Sequence, residues 1–310
     1  MKVFILKNLM FCLFALLFYV FIVFLFGKFI PSQFKPNINY RIGSYGHMNS
    51  RIKEINDMNE TKILFLGSSH AYRGFDTRIF KSKGISSFNL GSSSQTPLQT
   101  MVLLKRYLQK IKPEMVIYEV YPEIFSMDGV ESSLDIIAND RNDVYSIRMA
   151  IEVNNMKVYN TLIYGMSRDL FSMNSSFSEP AVKGNDTYIP GGYVERKIEY
   201  FNPSEFEKHK FEFLEYQLDE FRNIVEYLKS MGIKVILVYA PVSPSLYKSY
   251  LDKSEFDKLM DSFSEYYNFN VICKMNDTLH FYDPHHMNQN GVEIFNEKLI
   301  EILKSDNHID

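Results

Sequence analysis

The sequence predicts an α/β domain, a parallel β-sheet sandwiched between helices in three layers, preceded by one transmembrane helix. Short apolar runs of strand length alternate with helical patterns, and several of those runs stop at Gly or Pro, which is the signature of buried parallel strands joined by crossover helices. Ahead of them, every residue from Leu9 to Phe26 is apolar or Tyr, matching the ~20 residues needed to cross ~30 Å of hydrocarbon.

The apolar run follows Lys2 and Lys7, so the positive-inside rule puts the N-terminus in the cytoplasm and residues 31–310 outside it. No small-x-small cleavage site follows in Phe26-Gly27-Lys28-Phe29-Ile30-Pro31, and an uncleaved anchor over residues 1–30 is expected. Residues 31–60, with Pro31, Pro36, Gly43 and Gly46, read as a stalk that ends in a short helix near Asn49–Met58. The domain proper spans 61–310. Its strands are expected at 62–67, 86–91, 115–121, 234–241 and 279–282. Its helices are expected at 97–110, which opens on Pro97, at 206–229, which stops before Gly232, at 252–267 and at 291–304. Residues 123–203 lack the strand–helix rhythm and contain Gly184, Pro190, Gly191 and Gly192, so they read as a helical and loop insertion over the site.

Composition narrows the function classes. A net charge of −3 and a pI near 6.2 give no global pull toward nucleic acid. The two cysteines, Cys12 in the apolar run and Cys273 near the other end, suit neither a disulfide nor a metal-ligand spacing. Neither metal nor cofactor is expected.

In parallel α/β sheets ligands bind beyond the carboxyl ends of the strands, so chemistry is sought there. The first strand ends Gly67-Ser68-Ser69-His70, and the last loop reads Asp283-Pro284-His285-His286-Met287-Asn288-Gln289-Asn290-Gly291. A Ser on a strand-to-helix turn exposes its hydroxyl above the sheet. Asp and His three apart on one loop let a carboxylate hold Nδ1–H and leave Nε2 free to accept the Ser proton. Each motif has a plainer reading: the Ser as a turn or cap residue, the loop as surface polar residues or two metal-binding His. Their origin at the first and last strands of one domain favours the joint reading.

These blocks resemble those of the SGNH (GDSL-like) hydrolases from about residue 61 to 304, with the middle insertion unmatched. Gly67-Ser68-Ser69-His70 is similar to the block that carries the nucleophile, Asn89-Leu90-Gly91 to the block whose Gly offers an oxyanion N–H, and Asp283 to His286 to the Asp-x-x-His block. The resemblance implies Ser69 as nucleophile, Asp283 as orienter, His286 as base, and the N–H groups of Ser69 and Gly91 as the oxyanion hole. Two departures stand out. Ser68 replaces the more common Asp, and the third strand ends Tyr118-Glu119-Val120-Tyr121-Pro122-Glu123 without the usual oxyanion Asn, a donor whose loss typically costs about 10²–10³ in rate. Such altered third blocks resemble those of membrane-anchored members that modify surface polymers, including alginate O-acetylation and teichoic-acid D-alanylation proteins. That likeness implies esterase or O-acyltransferase chemistry on acyl, chiefly acetyl, esters of envelope polysaccharide, with a membrane-bound O-acyltransferase as partner. His70, Arg73, Glu119 and Tyr121 are candidate substrate-binding residues, whereas His285 is expected to face solvent. The second reading is a catalytically degenerate domain that serves as an anchored scaffold.

Overall fold

The computed structural model describes residues 1–58 and 60–309. Helix α1 (Lys2–Phe29) has a mean hydropathy of 3.0 over its most apolar window and is long and apolar enough to cross a membrane. Helix α2 (Met48–Asp57) is amphipathic and sinks Met48, Ile52 and Ile55 into the main core. The segment expected as a stalk therefore contributes a helix to the packed domain, because its apolar residues recur at helical spacing and have a sheet face to cover.

The sheet is then laid down by crossovers. Strand β1 (Ile63–Leu66) leads into α3 (Ser69–Gly74) and α4 (Thr77–Ser82), β2 (Ser87–Asn89) into α5 (Pro97–Ile111), and β3 (Met115–Glu119) into the insertion. The insertion carries α6 (Val130–Asn139), α7 (Val144–Val153), α8 (Met156–Leu170) and an antiparallel sheet of β4 (Val182–Lys183), β5 (Asp186–Ile189) and β6 (Tyr193–Arg196). The chain returns through α9 (Glu215–Ser230), β7 (Lys234–Tyr239), α10 (Pro244–Ser249), α11 (Lys253–Phe263), β8 (Glu265–Asn268), α12 (Phe269–Ile272), α13 (Asp277–His280) and α14 (Gln289–Ser305).

All neighbours in the main sheet are parallel, in the order β2-β1-β3-β7-β8. Alternation along each strand builds two cores, one on each face. Leu64, Leu66, Val116, Tyr118, Val235 and Leu237 face α2, α5 and α9, whereas Ile63, Phe65, Met115, Ile117, Ile236 and Val238 face α3, α4 and α14. This is the helix–sheet–helix layering the sequence predicts.

Two expectations are corrected. The helix expected over 206–229 begins only at Glu215. Phe211 and Phe213 stack on each other at 5.7 Å and pack against Phe256, a spacing of two that suits extended chain, and the Phe211 N–H is satisfied by Asp252. The fifth strand lies at Glu265–Asn268 and pairs with β7, overlapping the end of the helix expected over 252–267, which stops at Phe263. Tyr266 and Tyr267 favour extended backbone, and Asn268 stops the strand by capping α12 through the Asn270 N–H. The segment expected as the last strand, 279–282, forms a single bridge between Phe281 and Met287.

Candidate active site

The carboxyl end of β1 turns through Gly67, whose φ of +135° and closeness to Glu119 admit no side chain: a Cβ there would lie 2.8 Å from that of Glu119. The turn leaves Ser68 as the cap of α3, its hydroxyl accepting the His70 N–H. Ser69 becomes the first helical residue, a position whose own N–H has no acceptor within the helix.

Across the sheet edge, the loop 282–287 is closed by the Tyr282 N–H donating to the His286 carbonyl and by the Phe281–Met287 bridge. Asp283 Oδ1 accepts the N–H groups of both His285 and His286 at 2.8 Å. These bonds aim the carboxylate at the imidazole, with His286 Nδ1 2.9 Å from Asp283 Oδ2. On the other side of the ring, Nε2 lies 2.8 Å from Ser69 Oγ. Ser69, His286 and Asp283 are thus brought into one hydrogen-bonded line although Ser69 and His286 are 217 positions apart.

Stacking fixes the ring as well. Tyr282 lies nearly parallel to His286 at 5.6 Å, and His70 stacks on it at 5.0 Å. Burial lowers the His286 pKa, more than the hydrogen bond and charge of Asp283 raise it, so the imidazole is neutral near pH 7. Burial pushes Asp283 up, but the hydrogen bond and charge of His286 and the two loop N–H groups hold it down at about 2. The charge distribution is that of a base held by an ionised carboxylate.

The other candidates separate into wall, floor and support. Arg73 lines the cleft beside Ser69 and forms a bidentate pair with Asp186 of β5, at 3.0 and 2.7 Å. His70 and Tyr121 do not reach the cleft as substrate binders. His70 is 6% exposed, with Nδ1 against Ser68 Oγ, and Tyr121 is buried beneath it at 4.0 Å between ring centroids. His285 is held by the Tyr121 hydroxyl at 2.9 Å rather than facing solvent freely. Glu119 is fully buried under the Gly67 turn, where burial pushes its pKa up to about 8. Gly91 packs where a Cβ would strike the carbonyls of Gly67 and Ser68. Its N–H, however, donates to Asn89 Oδ1, and the Asn89 amide donates to the Ala71 carbonyl. The Gly91 N–H expected to serve an oxyanion is therefore held by the Asn89 side-chain carbonyl oxygen, while the Asn89 amide ties β2 to α3.

The cleft, about 430 Å³, is completed by residues that carried no motif: Tyr72, Ser93, Ser94, Tyr282, and Arg196 and Glu199 from the end of the insertion. Arg196 pairs with Glu199 at 2.9 Å and lies 4.8 Å above the Tyr282 ring. In the sequence these are isolated polar residues; only the antiparallel sheet of the insertion brings them to Ser69. Among the described residues the one cluster with metal-ligand spacing, Glu265, Asp306 and His308, lies outside this cleft.

No protein-family model matches the sequence, and no curated protein matches it. Among solved structures the chain is similar to a GDSL-like lipase from Bacteroides thetaiotaomicron, at 11% identity over 84% of this chain and 98% of that one, with a TM-score of 0.42. It is also similar to a Bacteroides fragilis protein assigned as an acylhydrolase, at 12% identity over 85% of this chain and 98% of that one, with a TM-score of 0.43.

Proposed function

We propose that the protein is a membrane-anchored SGNH-type serine esterase or O-acyltransferase, acting on acyl esters of cell-envelope polysaccharide. The observation that carries this reading is the single hydrogen-bonded line from Ser69 Oγ through His286 to Asp283. In the proposed reaction His286 Nε2 takes the Ser69 proton as Oγ attacks the ester carbonyl, and the Ser69 N–H donates to the developing oxyanion. Collapse breaks the ester C–O bond, and His286 returns the proton to the leaving alcohol. Water or a sugar hydroxyl, deprotonated by the same imidazole, then attacks the acyl carbon, the bond to Ser69 Oγ breaks, and His286 returns the proton to Ser69. Asp283 stays ionised throughout and stabilises the imidazolium.

The anchor is α1, with Lys2 and Lys7 on the cytoplasmic side and the cleft outside. Acetyl is the acyl group, and a membrane-bound O-acyltransferase is the partner that would supply it. Support for the polymer substrate comes from the open, polar wall of Arg73, Arg196, Glu199, Ser93 and Ser94, which offers hydrogen-bonding groups to a polyol. A fluorophosphonate probe on the detergent-solubilised full chain tests the chemistry: one adduct on Ser69 is expected, and an unlabelled Ser69 overturns the serine mechanism.

A second reading is favoured by a specific observation. With Gly91 N–H bonded to Asn89 and buried Glu119 at the end of β3, the Ser69 N–H has no evident companion donor from either block. A domain so equipped fits an anchored scaffold that keeps the fold without turnover, and the same labelling experiment separates the two.

A further inference from the structure

The insertion exposes large apolar side chains on two consecutive helices. On α7, Val144, Ile147 and Ile151 recur at i, i+3 and i+7 and are 67%, 40% and 59% exposed. The turn into α8 adds Met156, and the far end of α8 adds Leu170 and Phe171, exposed to 60%, 78% and 63%. The opposite faces of both helices are buried in the domain, through Met149 and Ala150 on α7 and Val158 and Leu162 on α8. Two helices with one apolar face inside and another outside carry more hydrophobic surface than the domain uses.

Of the two, α8 also holds α1. The Tyr19 hydroxyl donates to Asn160 of α8, Phe24 packs on Tyr164 and Phe171, and Gly27 lies so close to the Tyr164 ring that a Cβ would strike it. Contacts on α1 thus begin at Tyr19, and residues 2–18, about 26 Å of helix at ~1.5 Å per residue, stay free all round. The apolar run Leu9–Phe26, about 27 Å of helix at ~1.5 Å per residue, matches a hydrocarbon core of ~30 Å, so the turns from Tyr19 onward lie in its outer half. The α8 that packs on those turns then sits at outer-leaflet depth, and its exposed Met156 and Phe171, which touch Tyr19 and Phe24, continue the apolar surface of α1. Arg141 and Arg148 border the exposed apolar residues of α7 and α8 and are 63% and 72% exposed, suited to lipid phosphates.

We propose that the outward faces of α7 and α8 dock into the outer leaflet beside α1, seating the domain on the lipid surface in a fixed orientation. This rests on α1 spanning the bilayer. The docked domain does not swing on a tether; its cleft is held at one height above the membrane.

The chain has no Trp, so a single introduced Trp is a clean reporter. Full-length Leu13→Trp, Ile151→Trp, Leu170→Trp and Val271→Trp would each be reconstituted in phosphatidylcholine vesicles with and without brominated acyl chains. Leu13→Trp reports α1, and Val271→Trp, 68% exposed on the opposite core's helix α12, is the control. Blue-shifted emission that bromolipid quenches at both Ile151→Trp and Leu170→Trp, with Val271→Trp unquenched, supports docking. Quenching of Leu13→Trp alone overturns docking and leaves the anchor standing. No quenching at Leu13→Trp overturns the anchor and the docking with it. A blue shift at Ile151→Trp that depends on protein density and resists bromolipid assigns the face to a second copy of the chain and overturns the lipid proposal.

Discussion

The imidazole of His286 and the phenol ring of Tyr282 lie 5.6 Å apart with only 5° between their planes, and Arg196 covers the outer face of that phenol. The insertion thus reaches the His286 imidazole, the proposed base, through one stacked ring. Tyr282→Ala should free the imidazole to tilt and slow fluorophosphonate labelling of Ser69 by about tenfold, the effect of slight misplacement. Tyr282→Phe should keep most of the rate, since the ring and not the hydroxyl makes the stack. Equal loss in both variants would assign the effect to the hydroxyl.

Members of a triad act as a unit, so Ser69→Ala and His286→Ala should each reduce hydrolysis of p-nitrophenyl acetate by about 10⁴-fold or more, with Asp283→Asn somewhat less. His285→Ala should cost far less, because it removes only the bond to Tyr121. Unchanged melting of Ser69→Ala would separate lost chemistry from lost fold. Wild-type turnover by that variant would show that hydrolysis does not depend on Ser69 and would overturn the serine mechanism.

The pH profile follows from the base. His286 must be neutral to accept a proton, and burial lowers its pKa from the ordinary 6.5. Labelling should therefore hold its rate on descending to pH 6.5 and fall only below it. Asp283, held at about 2, adds no second inflection between pH 4 and 8. An inflection above pH 7 that persists in Glu119→Gln, which removes the neighbouring carboxyl that titrates at about 8, would contradict this environment.

Glu119 makes the opposite signature in stability. Its folded pKa of about 8 stands above its ordinary 4.5, so the folded chain holds a proton that the unfolded chain releases. The associated stability is complete below pH 4.5 and is lost as pH rises to 8, on the order of 3 kcal/mol by pH 7 at ~1.4 kcal/mol per unit. Glu119→Gln should flatten that slope in urea unfolding of the full chain. Part of the slope should persist, since burial also pushes Asp135 up to about 8.

Gly67→Ala must place a methyl group against Glu119 at a φ that L-residues avoid. It should cost about 2 kcal/mol or more and displace Ser69 from His286. Gly84→Ala, also at positive φ but with open space around its Cβ, should cost less in the same melting experiment and leave labelling unchanged.

Features that are local or periodic are legible in the order of residues alone. The apolar run of α1, the strands at β1, β3 and β7, and the α14 helix are legible because burial imposes a period and Gly or Pro ends it. Ser69, Asp283 and His286 are legible because their spacing on short turns is itself the geometry. Tertiary structure decided the rest. Phe211 and Phe213 carry an apolar pattern that a helix could share, and only the neighbouring Asp252 and Phe256 select extended chain. Tyr266 and Tyr267 become a strand because β7 has a free edge. Asn89 takes the Gly91 N–H because α3 and β2 meet there, and Arg196, Glu199 and Tyr282 share a wall only after an antiparallel sheet folds back over a parallel one. Such contacts join residues far apart in the chain, where no spacing rule operates and the choice belongs to packing.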